Sequence, residues 1–125
     1  MTAGLTTTRA HAILNIYRAS AYSAITPFVA LHTGDPGSAG TANASGNTTR
    51  NALTLAAPSA GAAALSSIGT WTMNTSETIT HISIWSASTA GTFEESWALS
   101  SGVPVVNGST FSLTTLTLSY SPIAA

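Results

Sequence analysis

Cysteine and lysine are both absent from this chain of 125 residues. Without cysteine there is no disulfide framework, no thiolate nucleophile and no cysteine-ligated zinc, although the redox compartment stays open. Without lysine the basic groups reduce to Arg9, Arg18 and Arg50, and the acidic ones are Asp35, Glu77, Glu94 and Glu95, for a formal net charge of −1. Charged residues make up 6% of the chain, against roughly 25% in ordinary soluble domains. That leaves no basic footprint for nucleic acid and no polybasic stretch for an anionic membrane, so neither is expected as a partner.

Long apolar runs are also missing. "LTLAAPSAGAAAL" is too short and too interrupted to cross a bilayer, and "MTAGLTTTRAHAILNIYR" lacks the apolar centre of a signal peptide. Four N-x-S/T triplets begin at Asn43, Asn47, Asn74 and Asn107. In a chain this rich in serine and threonine they read as chance.

Catalytic signatures are absent as well: no G-x-S-x-G elbow, no phosphate-cradling G-x-x-x-x-G-K and no H-E-x-x-H helix. Three histidines remain, His11, His32 and His81. A site assembled from them by the fold alone is the weaker reading beside hydrogen-bonded strand histidines. Glu94 and Glu95 are neighbours and would point to opposite faces of a strand, so they do not form a catalytic carboxylate pair; whichever faces inward needs a partner, most simply an arginine. In "VALHTGDPG", residues 29–37, His32 ends a strand and Gly34-Asp35-Pro36-Gly37 has turn composition. No catalytic residue, metal or cofactor is expected.

What the chain does have is 44% hydrophobic residues, enough for a core, in patterns that change along its length. Ala10, Ile13, Leu14 and Tyr17 follow the spacing of one helical face, and Thr6, Thr7 and Thr8 offer N-capping hydroxyls, so a helix is expected over 7–19. Pro27 then ends any helical geometry. From there period two takes over in seven short runs: "FVALHT", "RNALTL", "IGTWTM", "TITHISIWSA", "TFEESWALS", "VPVV" and "TFSLTTLTLSY". In the fourth run Ile82 and Ile84 stand opposite Ile79, His81 and Trp85. In the sixth, Pro104 argues for an edge or a short strand. In the last, parity flips at Thr114–Thr115, which requires a bulge or a crossing between two sheets. Asn107-Gly108 is a hairpin turn signal.

The expected fold is therefore mainly β: a compact β-sandwich or flattened barrel of about seven short strands with one N-terminal helix. One domain is expected over 1–125, with the sheet region at 27–121 and a long unpatterned loop at 34–50 that is either a contact arm or a mobile surface loop. No 20–50-residue repeat occurs, which separates a compact knob from a fibre shaft.

The stretches "FVALHTGDPGSAGT", "TRNALTL", "THISIWSASTAGTF" and "VNGSTFSL" together resemble a family of small bacteriophage virion proteins, labelled tail-fibre-like or capsid decoration proteins. Its pattern reads "YLALHTADPGE", "ARQAVTF", "THVGLWDAATGGTF" and "VNAGDTFTI". The resemblance runs from about residue 14 to 118 and is most specific at Leu31-His32-Thr33 with Asp35-Pro36, and at Thr80-His81 with Trp85. This chain departs from it at Ser83-Ile84-Trp85-Ser86, where the family has Gly-Leu-Trp-Asp, and lacks an aromatic before Arg50.

The resemblance implies a non-enzymatic part of a phage particle, made in the host cytoplasm. The first expectation is a capsid decoration or cement protein on the shell exterior, bound to the major capsid protein or other virion proteins as a homotrimer. The alternative is a minor tail, tail-tip or tail-fibre protein, and a third is a carbohydrate-binding module stacking sugars on Trp71, Trp85 or Trp97. Arg9, Arg18 and Arg50 are the candidate assembly-interface residues, because scarce guanidinium groups pair with carboxylates in defined geometry.

Overall fold

The computed structural model describes residues 3–18 and 24–119. The fold is mainly β, with one N-terminal helix and eight strands among the described residues. Helix α1 spans Thr7–Asn15, followed by a 3-10 turn at Ile16–Arg18. The strands are β1 (Phe28–His32), β2 (Asn51–Leu55), β3 (Ala62–Ile68), β4 (Trp71–Thr72), β5 (Glu77–Trp85), β6 (Phe93–Val105), β7 (Thr110–Phe111) and β8 (Thr117–Ser119). Six form one curled antiparallel sheet in the order β6-β5-β1-β2-β3-β8, a half-barrel; β4 and β7 pair separately.

Helix α1 starts where a capping hydroxyl is available: Thr6 Oγ1 accepts the Arg9 amide at 3.1 Å. Its orientation differs from the expected one. Leu14 is 60% exposed and Tyr17 88%, whereas Arg9 is buried. An ion pair to the sheet draws Arg9 and Ile13 inward, one turn apart, and this turns half of the expected apolar face to solvent. Ala19, the expected last helical residue, lies outside the described residues, as does Ser121 at the end of the expected sheet region.

The core gathers Val29, Leu31, Leu53, Trp71, Met73, Ile79, Ile82, Ile84, Val105 and Phe111. Ile79 shares it with Ile82 and Ile84 despite the opposite parity expected from strict alternation. The reason is a register shift against β6 between Ile79 and His81, where Thr80 stands opposite the four β6 residues 99–102 and the phase of β5 changes. The same irregularity lets "TFEESWALS" and "VPVV" run as one strand, β6, with Pro104 opposite Thr78 at the sheet edge.

The parity flip near the end of the chain resolves as a crossing: β7 pairs with β4, and β8 joins β3 in the large sheet. Asn107-Gly108 does turn the chain, with Gly108 at φ +88°, but its flanking strands do not pair with each other. β3 has no counterpart among the seven expected runs. Its Ala62-Ala63-Ala64 start gives little alternation, and the hairpin that makes it turns on Ala60 (φ 50°) and Gly61 (φ 78°), a backbone pair with positive φ at both central positions.

Candidate functional site

Strand alternation puts His81, Ser83 and Trp85 of β5 on the face opposite Ile82 and Ile84. The antiparallel register sets His32 of β1 directly across from His81. On this outer face His32, Ser83 and Trp85 form a hydrogen-bonded chain. Trp85 Nε1 donates to Ser83 Oγ at 2.8 Å, Ser83 Oγ lies 2.7 Å from His32 Nε2, and His32 Nδ1 lies 2.9 Å from the carbonyl oxygen of Ala42. A carbonyl only accepts, so Nδ1 carries the proton. Nε2 is then the acceptor and Ser83 the donor to it. Every member of the chain is satisfied in one direction only.

The 34–50 loop covers this face and is tied down by hydrogen bonds along its length. Asp35 Oδ1 accepts the Gly37 amide at 2.8 Å, and Asn43, at φ 50°, donates its side-chain amide to the Asp35 carbonyl at 2.9 Å. "VALHTGDPG" is thus a strand running into an Asx-type turn. Further on, Thr33 N donates to Asn43 O at 2.8 Å and Ser45 N to Leu31 O at 3.0 Å. Glu77 accepts from Ser45 Oγ and from the Gly46 amide, and Trp71 Nε1 donates to Thr49 O at 2.8 Å. The loop lacks apolar periodicity because side-chain and backbone hydrogen bonds hold it, and these leave no periodic trace in the sequence.

Arg50 closes the loop. Its guanidinium carbon sits 3.7 Å from the centre of the Trp85 ring, and Nη1 donates to the carbonyls of Ala87 and Ala90 at 3.2 and 2.6 Å. Phe93 also packs against Trp85, with ring centroids 5.4 Å apart and the planes tilted by 40°. Gly40 approaches so closely that a Cβ there would lie 2.5 Å from the Phe93 ring. The remaining cavity, about 220 Å³ and lined by His32, Thr41, Thr48, Arg50 and Trp85 among others, falls short of the several hundred Å³ usual for ligand sites.

Ser83 and His32 have the spacing of a hydroxyl and its general base, but Ser83 has no exposed surface and His32 only 2%. Nothing outside reaches the hydroxyl, and its proton is already committed; the pair cross-links two strands and a loop. Burial pushes the His32 imidazole below its ordinary value of 6.5, and the facing His81 and Arg50 charges push the same way against the Ala42 and Asn43 carbonyls.

A second polar cluster lies where the N-terminal segment meets β6. Arg9 Nε bonds Glu94 Oε2 at 2.9 Å with both side chains nearly buried, which supplies the arginine partner expected for an inward glutamate. Leu5 bridges Glu95 as an extra strand residue, and Ser96 N donates to Gly4 O at 2.9 Å, so the segment covers part of the β6 edge. Glu95 is also buried. Burial pushes its carboxyl above the ordinary range, against the Trp97 indole and Arg9, while Glu94 adds to the rise.

Of the three candidate interface arginines, Arg9 is thus turned inward, Arg50 is half-buried on Trp85, and Arg18 is exposed with a 3.0 Å bond to Asn15. His11 is exposed on α1, away from His32 and His81. Among the described residues no three histidines or carboxylates are placed to hold a metal ion. Trp71 and Trp85 are 1% and 7% exposed, so those two rings are not laid open for a sugar to stack on, whereas Trp97 is half-buried against the core. No helix among the described residues is long and apolar enough to cross a membrane.

The family model described as podophage GP4 fiber I protein gp80 matches residues 4–121, and the chain belongs to that family. It is a structural protein of the phage virion, and membership of a fibre family points to a non-enzymatic role. No curated protein matches the chain.

Proposed function

We propose that the protein is a structural component of a phage fibre at the tail, assembled from several copies of itself. The observation that carries this reading is the family match over residues 4–121, whose description names a fibre protein. It favours the tail alternative over the capsid decoration expected first from compactness. Because no shaft-like repeat occurs, the chain fits a globular part at the base or tip of a fibre.

The surface suits such assembly. It carries few charges, so little hydration must be stripped from it on contact. The end of α1 and the 3-10 turn after it expose Leu14, Ile16 and Tyr17, an apolar cluster that a neighbouring copy would cover. Three copies around an axis would multiply weak contacts, with avidity in place of single-site affinity. In this reading the other partners are tail proteins, with the major capsid protein as the partner if the decoration reading holds instead.

Quantitative mass spectrometry of purified particles against the major capsid protein tests the proposal. A small, symmetry-related number of copies supports a fibre, and hundreds per particle support decoration of the shell.

A further inference from the structure

The hydrogen-bond chain behind the 34–50 loop has a direction, and that direction depends on one proton. Trp85 donates to Ser83, Ser83 to His32 Nε2, and His32 Nδ1 to Ala42 O. If Nε2 gains a proton, it becomes a donor facing the Ser83 oxygen. Ser83 then receives two donors and its own hydroxyl proton has no acceptor in a site with no exposed surface. The new positive charge would stand across from His81 and near Arg50.

The groups facing His32 are few. From β5 come His81, Ser83 and Trp85; from the loop come Ala42 and Asn43, with Arg50 at its end. None is a carboxylate. Glu77 of β5 holds the far end of the same loop through Ser45 and Gly46, and Asp35 is turned to the Gly37 amide. An imidazolium at His32 would therefore meet only cations and dipoles.

We propose that His32 is an acid-operated latch: protonation of its Nε2 reverses the Ser83 link and sets an imidazolium near Arg50 at the end of the 34–50 loop, and the loop is released from the outer face of the sheet although the Nδ1–H bond to Ala42 itself survives protonation. Release would uncover Trp85 and the edges of β1 next to it, surfaces closed at neutral pH. The latch is set by backbone and side-chain geometry and needs no ligand.

The experiment is amide hydrogen exchange on the full chain between about pH 7.5 and about pH 5, corrected for intrinsic exchange, with the imidazole nitrogens of His32 followed by NMR. The expected result is a loss of protection of about tenfold or more at Thr33, Ala42 and Ser45 as pH falls, in step with His32 titration. The β2–β3 amides should hold. His32→Asn keeps a donor for Ala42 but does not titrate, so its loop protection should be independent of pH. Glu77→Gln should retain the wild-type pH dependence.

A wild-type loop whose corrected protection is flat with pH overturns the proposal. So does a pH dependence that survives in His32→Asn or disappears in Glu77→Gln. If His32→Asn does not fold, the wild-type NMR decides: His32 protonated on Nε2 at about pH 7.5 overturns the latch, and the Nδ1–H form titrating with loop opening supports it.

Discussion

Arg9 and Glu94 meet at 2.9 Å, 85 residues apart in sequence, and tie helix α1 to strand β6. A buried ion pair is weak evidence of net stabilisation, but removing one partner strands the other charge. Arg9→Ala should therefore cost about 3 kcal/mol in urea unfolding. Local detachment of the helix would reveal itself first as proteolytic cleavage near residues 4–18. Arg9→Leu combined with Glu94→Leu should recover much of that loss; a double variant as weak as the sum of the single ones would mean the pair is not the tie.

Ser83 serves two partners at once. Ser83→Ala leaves Trp85 Nε1 without an acceptor and His32 Nε2 without a donor in a site closed to water. Each orphaned group costs roughly 1–3 kcal/mol, so the variant should lose about 3 kcal/mol or more. Chemical denaturation measures this directly. A loss below about 1 kcal/mol would show that water enters the site and replaces the hydroxyl.

Two glycines separate backbone strain from packing. Gly40 has φ +72° and a Cβ there would meet the Phe93 ring at 2.5 Å, while Gly108 has φ +88° with nothing within 4 Å. Gly108→Ala should cost only the left-handed backbone, about 1 kcal/mol. Gly40→Ala should cost clearly more, about 3 kcal/mol, because Phe93 and then Trp85 must move. Thermal unfolding of the two variants gives the comparison.

Buried Glu95 and buried His32 act on stability in opposite directions. Burial raises the Glu95 carboxyl, so folding favours its protonated form; its contribution is complete at acid pH and is lost as pH rises through the raised value. Glu95→Gln should therefore melt a few degrees above the wild type at about pH 7, the gap closing towards about pH 4. Burial lowers His32, so its contribution is present above 6.5 and is lost as pH falls. Melting curves across that range should show Glu95→Gln retaining the acid-side fall and His32→Asn lacking it.

The strands with strong alternation are readable directly. Val29 and Leu31 place β1, and the composition of Gly34 to Gly37 places the turn after it. The flip at Thr114–Thr115 marks a change of sheet. Ile79 defeats the pattern because the pairing with β6 shifts register at Thr80, opposite residues 99–102, and no local signal announces an irregularity of that kind. Ala62–Ile68 escapes because alanine marks neither face. In the helix, Leu14 and Tyr17 carry the expected spacing, yet Arg9 decides the orientation through a partner 85 residues away.

The His32 cluster was only half visible. The resemblance singles out Leu31-His32-Thr33 and Thr80-His81 with Trp85, which are the segments that meet across β1 and β5. Ser83, where the family pattern has glycine, supplies the central hydroxyl, and only the strand register reveals that it lies between His32 and Trp85. The loop's order, similarly, rests on Glu77, Asn43 and Asn47, polar residues whose partners are distant in sequence.

Immunogold electron microscopy of intact particles, with an antibody to the folded protein, tests the central claim most directly. Gold confined to fibres at the tail is the predicted result. Gold spread evenly over the capsid shell would contradict it and return the protein to the role of a decoration subunit.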